Sequence, residues 1–271
     1  MEPALSAEAR SLLASLRATL AELVEEGVDR IEADLATSAE PYVPPHAHPG
    51  AATGPRVSPE ARPHAATARA GPRPSPQTAS DEAAHKARAL EAVRRELGEC
   101  TRCALCEARS RIVFGDGNPN AALMFIGEGP GEEEDRRGLP FVGRAGELLT
   151  RMIERGLEIP RSEVYICNIV KCRPPGNRTP KPDEVASCKP FLDGQIDAVR
   201  PRTIVALGRP ATSLLLGHDV SISKVRGTWH AYRGIPLMPT FHPAFLLRQY
   251  TAENRNAVWQ DLKAALARSR E

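Results

Sequence analysis

The chain has 271 residues, 41% of them hydrophobic and 26% charged, with a formal net charge of +2. That length supports one sizeable core plus additional segments, and no apolar run is long enough to cross a bilayer. Six cysteines in so long a chain exclude a disulfide scaffold and point to metal or redox chemistry.

At the N-terminus, MEPALSAEAR lacks the basic-then-apolar layout of a secretion signal, which predicts a cytoplasmic location. Residues 4–35 then repeat apolar positions at helical spacing, from Leu5, Leu12 and Leu16 to Ile31 and Leu35. This predicts an amphipathic helical segment over 1–36 that docks a protein partner, self-associates or is dispensable. Ten of the 25 prolines fall between Pro41 and Pro76, interspersed with Ala, Gly and Ser. Such a composition cannot bury enough apolar surface to order itself, so 37–80 reads as a disordered linker. His46, His48 and His64 have no regular spacing and read as solvated linker residues.

The third segment, 81–271, reads as the folded body. Charge is uneven along the chain: residues 99–271 carry 25 Lys/Arg against 20 Asp/Glu, and residues 1–98 carry 11 against 14. A mildly basic body permits contact with nucleic acid without requiring it. A helix over 81–100 leads into the cysteines. Strands are predicted at 122–128, 164–170, 203–208 and 234–243, alternating with helices at 143–156, 182–199, 210–216 and 252–269. That alternation implies a three-layer α/β/α fold around a mostly parallel four-stranded sheet, with ligands at the carboxyl ends of the strands.

The unusual residues follow the strands. After the first comes GEGPGEEEDRRGLPFVG, where Gly127, Gly129 and Gly131 let backbone approach a ligand. The loop has neither the ending of a P-loop nor the glycine spacing of a dinucleotide fingerprint. Its four acids, Glu132 to Asp135, read as a solvated face from which one member could orient a water or a base. Phe141 is either core or a platform for a flat ring. Asn168 sits inside an apolar strand, where an amide is costly to bury unless it is paired, and it offers both a donor and an acceptor. Past it, Arg173, Arg178 and Lys181 lie among prolines in a stiffened basic loop. His242 ends the fourth strand and can donate to an oxygen that gains charge. The AFLL after it is core or a wedge for a base stack.

Cys100, Cys103 and Cys106 form two overlapping C-x₂-C pairs, and Cys172 and Cys188 lie sixteen residues apart. Two of the first three with the distant two make four thiolates, suited to Zn²⁺ or to a [4Fe–4S] cluster. The wide second pair favours iron–sulfur, and spacing leaves open which tight pair takes part.

Read in order, CTRC, RIVFGDGNPNAALMFIGEGPGEEED, GLPFVGRAGELL, VYICNIVKCRPPGNR, SISKVRG and FHPAFLLR resemble the family 4 uracil-DNA glycosylases, the iron–sulfur branch of their superfamily. The resemblance covers about residues 98–269. It implies removal of uracil from single- or double-stranded DNA and a [4Fe–4S] cluster on Cys100, Cys103, Cys172 and Cys188. It also implies a uracil pocket of Gly127, Glu128, Gly129, Phe141, Asn168 and His242, with His242, Glu128 and Glu134 in the catalytic set. Lys224, Arg226 and Arg248 would contact DNA. Gly129 stands where other branches place a water-activating side chain, so leaving-group stabilisation is expected to dominate. The basic, His-containing insertion of a relative that traps its DNA covalently is absent, so ordinary turnover is expected. The competing readings are a non-enzymatic, cluster-bearing nucleic-acid binder on the same fold and a zinc hydrolase of small nucleotides.

Overall fold

A computed structural model describes residues 76–271. The predicted segment 1–36, its partner-docking role and most of the linker 37–80 lie outside the described residues. Helix α1 (Pro76–Leu97) starts within the predicted linker and stops three residues short of the cysteines. Gly98 closes it at φ +47, its N–H donating to Arg94 O, a left-handed turn that glycine adopts without strain.

The sheet has six strands: β1 (Asp116–Gly117), β2 (Leu123–Gly127), β3 (Tyr165–Asn168), β4 (Thr203–Leu207), β5 (His230–Tyr232) and β6 (Ile235–Thr240). Their spatial order is β1-β3-β2-β4-β6-β5. The inner four are parallel, as expected; β1 and β5 are antiparallel edge strands absent from the predicted four-stranded sheet. Two and three residues long, they carry no alternation that a pattern could reveal.

The inner strands are apolar on both faces because both faces are covered. Met124, Ile126, Tyr165, Cys167, Ile204 and Ala206 pack under α1 and α4 (Pro182–Val199) with Leu97, Phe191, Leu192 and Ile196. Leu123, Phe125, Ile166, Val205 and Leu207 face α3 (Arg144–Arg151) and α8 (Ala252–Ser269) through Leu148, Leu149, Val258 and Leu262. The predicted single helix over 143–156 is α3 followed by a π turn, Met152–Gly156, where the chain shifts register before β3. Four further helices complete the body: α2 (Glu132–Arg137), α5 (Arg209–Leu216), α6 (Ile222–Val225) and α7 (Pro243–Arg248). No helix among the described residues is long and apolar enough to cross a membrane.

From β2 the chain moves outward to β3, whereas from β4 it moves the other way to β6. The adjacent ends of β2 and β4 are therefore a topological switch point, where an open α/β sheet leaves a crevice.

Candidate active site

A cleft of about 740 Å³ opens at that switch point. Every inner strand contributes to its wall: the loop after β2 from Glu128 to Glu134, Asn168 at the end of β3, Gly208 and Arg209 after β4, and Phe241 and His242 after β6.

Asn168 is 1% exposed, and its Oδ1 has no hydrogen-bond partner. An amide oxygen left unpaired in the interior costs about 1–3 kcal/mol, and Asn168 lines the cleft. Its own backbone is secured from behind: the buried Lys171 ammonium donates to Asn168 O at 2.7 Å and to Gln195 Oε1 at 2.5 Å. Gln195 in turn donates to Phe114 O and to the Tyr165 hydroxyl.

Gly127 lies between Asn168 and Phe141. A Cβ there would stand 2.5 Å from Asn168 Oδ1 and 2.5 Å from Phe141 Cζ. The space beside the amide exists because that residue has no side chain. The Phe141 ring is 5.6 Å from the His242 ring at 33°. Phe141 has φ +53, a left-handed conformation that costs a bulky residue about 1–3 kcal/mol.

His242 is the N-cap of α7, its Nδ1 accepting from Ala244 N–H at 3.1 Å. An acceptor nitrogen carries no proton, so the ring's hydrogen is on Nε2, which takes no partner among the described residues. Burial, reinforced by the nearby Arg248 charge, lowers its pKa to about 4. His242 is therefore a neutral donor at the cleft. Burial also raises the Glu128 carboxyl above its usual range, partly offset by the Thr179 hydroxyl.

Glu134 lines the cleft, and its carboxylate is tied to backbone. Its Oε1 accepts from Val142 N–H and Gly143 N–H, both at 2.8 Å, and its Oε2 from Gly131 N–H at 3.1 Å. The acidic run is thus divided by function. Glu132 and Glu133 pair with arginines at the surface, while Asp135, 4% exposed, accepts from the backbone of Ser110 and Arg111. The expectation of a solvated acidic face holds for only half of it.

The predicted DNA contacts separate in the same way. Arg248 lines the cleft and Lys224 is exposed on α6, two residues from the cleft-lining Ile222. Arg226 is turned inward: its guanidinium donates to both oxygens of Asp261, at 2.5 and 3.0 Å, and to Ala257 O. Asp261 is itself 3% exposed and accepts from Thr240 Oγ1, so Arg226 braces α8. In the basic loop, Arg178 is likewise committed to the buried Glu184 at 2.6 Å.

None of the six cysteines is in a disulfide. Cys172 and Cys188 are buried, and Cys100 and Cys103 pack against the same core. Burial pushes the Cys172 and Cys188 thiols up, and the neighbouring cysteines add to it. Among the described residues, no three His, Cys, Asp or Glu side chains already stand at metal-holding distances. The donor chemistry nevertheless suits an anionic thiolate-bound group. Arg102 Nη1 lies 3.3 Å from Cys100 Sγ, and Arg109 Nη1 lies 3.4 Å from Cys172 Sγ. Cys106 is half-buried on the next short turn, and Cys167 lies inside β3.

Sequence reasoning missed Arg161, Gly146 and Asp261. Each acts on backbone or on a partner distant in sequence, and none sits in a pattern that marks it.

The family model for the uracil DNA glycosylase superfamily matches residues 114–263. The type-4 uracil-DNA glycosylase of Thermotoga maritima is 49% identical over 180 residues, covering 65% of this chain and 92% of the relative. That of Saccharolobus solfataricus is 45% identical over 182 residues, covering 64% and 83%. That of Sulfurisphaera tokodaii is 44% identical over 182 residues, covering 64% and 82%. With the cleft at the switch point and the unpaired amide inside it, these matches make the chain a member of the uracil-DNA glycosylase superfamily, among its type-4 enzymes.

Proposed function

We propose that this chain excises uracil from DNA, extruding the nucleotide from the stack and cleaving its N-glycosidic bond to leave an abasic site. The observation that carries the reading is the buried, unpartnered Asn168 Oδ1 at the floor of the cleft. Uracil presents an N–H donor beside a carbonyl acceptor, and an Asn amide offers the matching acceptor and donor. Cytosine presents a bare ring nitrogen beside an amino group, so Oδ1 would face a lone pair and both bonds would fail. Phe141 supplies the stacking that the base loses on leaving the helix.

Cleavage leaves negative charge on the departing uracil. His242, neutral and with its hydrogen on Nε2, donates to the oxygen where that charge gathers, an effect of about 3 kcal/mol for one well-placed donor. Gly129 brings no side chain to activate water, so leaving-group stabilisation leads and water is captured late. Lys224 and Arg248 provide positive charge for the phosphates beside the cleft.

Cys100, Cys103, Cys172 and Cys188 would hold a [4Fe–4S] cluster in this reading, with Arg102 and Arg109 donating to thiolate sulfur. When bound, such a cluster supplies a cross-link between the turn after α1, the end of β3 and α4. The reading includes a cytoplasmic location, whose reducing conditions keep all six thiols out of disulfides.

Incubation with uracil-containing single- and double-stranded DNA, followed by alkali, tests the activity. Strand breaks are expected at uracil. Binding without breaks would favour a non-enzymatic DNA binder on this fold, and near-full single-turnover cleavage by His242→Ala would remove the mechanism.

A further inference from the structure

Phe141 holds an unfavourable backbone conformation, so something must pay for it continuously, and the residues on either side show what does. After Phe141, the N–H groups of Val142 and Gly143 are both taken by Glu134. Before it, the carbonyl of Pro140 accepts from Arg161 Nη2 at 2.7 Å. The other arm of the same guanidinium, Nη1, donates to Thr150 Oγ1 at 2.8 Å. Thr150 Oγ1 donates onward to Gly146 O at 3.0 Å. Gly146 closes the ring, because a Cβ at that position would overlap the carbonyl carbon and oxygen of Phe141. The Phe141 backbone is pressed onto a bare turn of α3, fastened behind by an arginine and ahead by a carboxylate.

Arg161 is remote from the chemistry. It sits on the short turn Arg161–Glu163 before β3 and is not among the residues that line the cleft. Its guanidinium spends both arms on the segment carrying Phe141 and on the helix under it. A planar fork can bridge two acceptors in this way, whereas an ammonium on the same stem is a point charge that cannot reproduce the geometry.

We propose that Arg161 is a positioning residue that, acting with Glu134, holds Phe141 in its left-handed conformation and so sets the platform on which the extruded base stacks. The inference rests on the reading of Phe141 as that platform. Arg161 contributes to base recognition without touching the base or the DNA. Its removal should be felt wherever the base is bound and not where only the backbone is bound.

Arg161→Ala, Arg161→Lys and Thr150→Val test it, with and without Phe141→Ala. Three readouts are needed: single-turnover excision, inhibition by free uracil, and affinity for DNA with an abasic site. In Arg161→Ala and Thr150→Val, excision is expected to fall roughly ten- to a hundredfold, the scale of a small misplacement at a reacting centre. Inhibition by free uracil should weaken in step, abasic-site affinity should hold, and Arg161→Lys should fall between. In the Phe141→Ala background, Arg161→Ala should add little, because coupled residues are non-additive. Should Arg161→Ala fail to fold, Thr150→Val carries the same test with one hydroxyl removed. Full excision in Thr150→Val and the arginine variants would overturn the proposal, as would an undiminished loss in the Phe141→Ala background. If Phe141→Ala alone leaves excision and uracil inhibition unchanged, the platform reading itself fails. If Phe141→Ala is costly and Arg161→Ala neutral, only this inference falls.

Discussion

Under the proposed function, Asn168 carries the selectivity and His242 the rate, each as a single side chain. Asn168 was legible from its place in VYICNIV, since an amide in an apolar strand is either paired or held for a ligand. Only the structure shows that its Oδ1 is unpaired. Asn168→Ala should cut uracil excision on the order of a hundredfold or more while leaving the fold intact, measured by single-turnover cleavage beside a melting curve. Gly127→Ala should act on the same slot from the other side, because its Cβ would meet both Asn168 and Phe141. His242 supplies the pH dependence. Its pKa falls from 6.5 to about 4 in the folded chain, so between those values the native state binds fewer protons than the unfolded one. Its contribution to stability is complete above about 6.5 and is lost as the pH falls toward about 4. The acid limb that His242 sets in a single-turnover profile is expected near pH 4; a limb near 6.5 would contradict the neutral donor.

Among the elements, the loops after the strands gain their shape from groups that look like surface charge in the sequence. The acids of α2 tie three backbone segments together, and Arg226 ties the loop before β5 to α8 through Asp261. This separates two basic residues that share the stretch SISKVRG. Lys224→Ala should weaken binding to all DNA sequences and reduce the salt slope by about one, with stability unchanged. Arg226→Ala leaves a buried carboxylate without its cation, on the order of 3 kcal/mol, so its effect should appear in the melting temperature before the DNA affinity. Equal losses of DNA affinity in the two variants would restore Arg226 to the interface.

Across the whole molecule, the cysteines join parts of the chain that are far apart in sequence. Cys100 and Cys103 follow α1, whose Val93 packs on Gly194 of α4, the helix that carries Cys188. Cys172 follows the strand that ends in Asn168. A cluster on these four would brace the strand end behind Asn168. Cys172→Ala is expected to lose iron, visible colour and thermal stability together, whereas Cys106→Ala should keep its iron. Folding at full stability without iron would contradict the structural role.

The sequence alone determined the layered α/β architecture, since four apolar strand segments alternating with amphipathic helices bury their surface in few other ways. It also marked Phe141, Asn168, His242 and the cysteines, because each is a chemically costly or scarce residue at a strand end or in a tight repeat. The short edge strands, the division of labour within EEED, the inward turn of Arg226 and the bracing of Phe141 by Arg161 were decided only in three dimensions. Edge strands of two and three residues carry no alternation, and the other three share one physical reason. A charged side chain carries the same local signal whether it meets water or a backbone group brought near by the fold, and only tertiary contact supplies the partner that distinguishes the two.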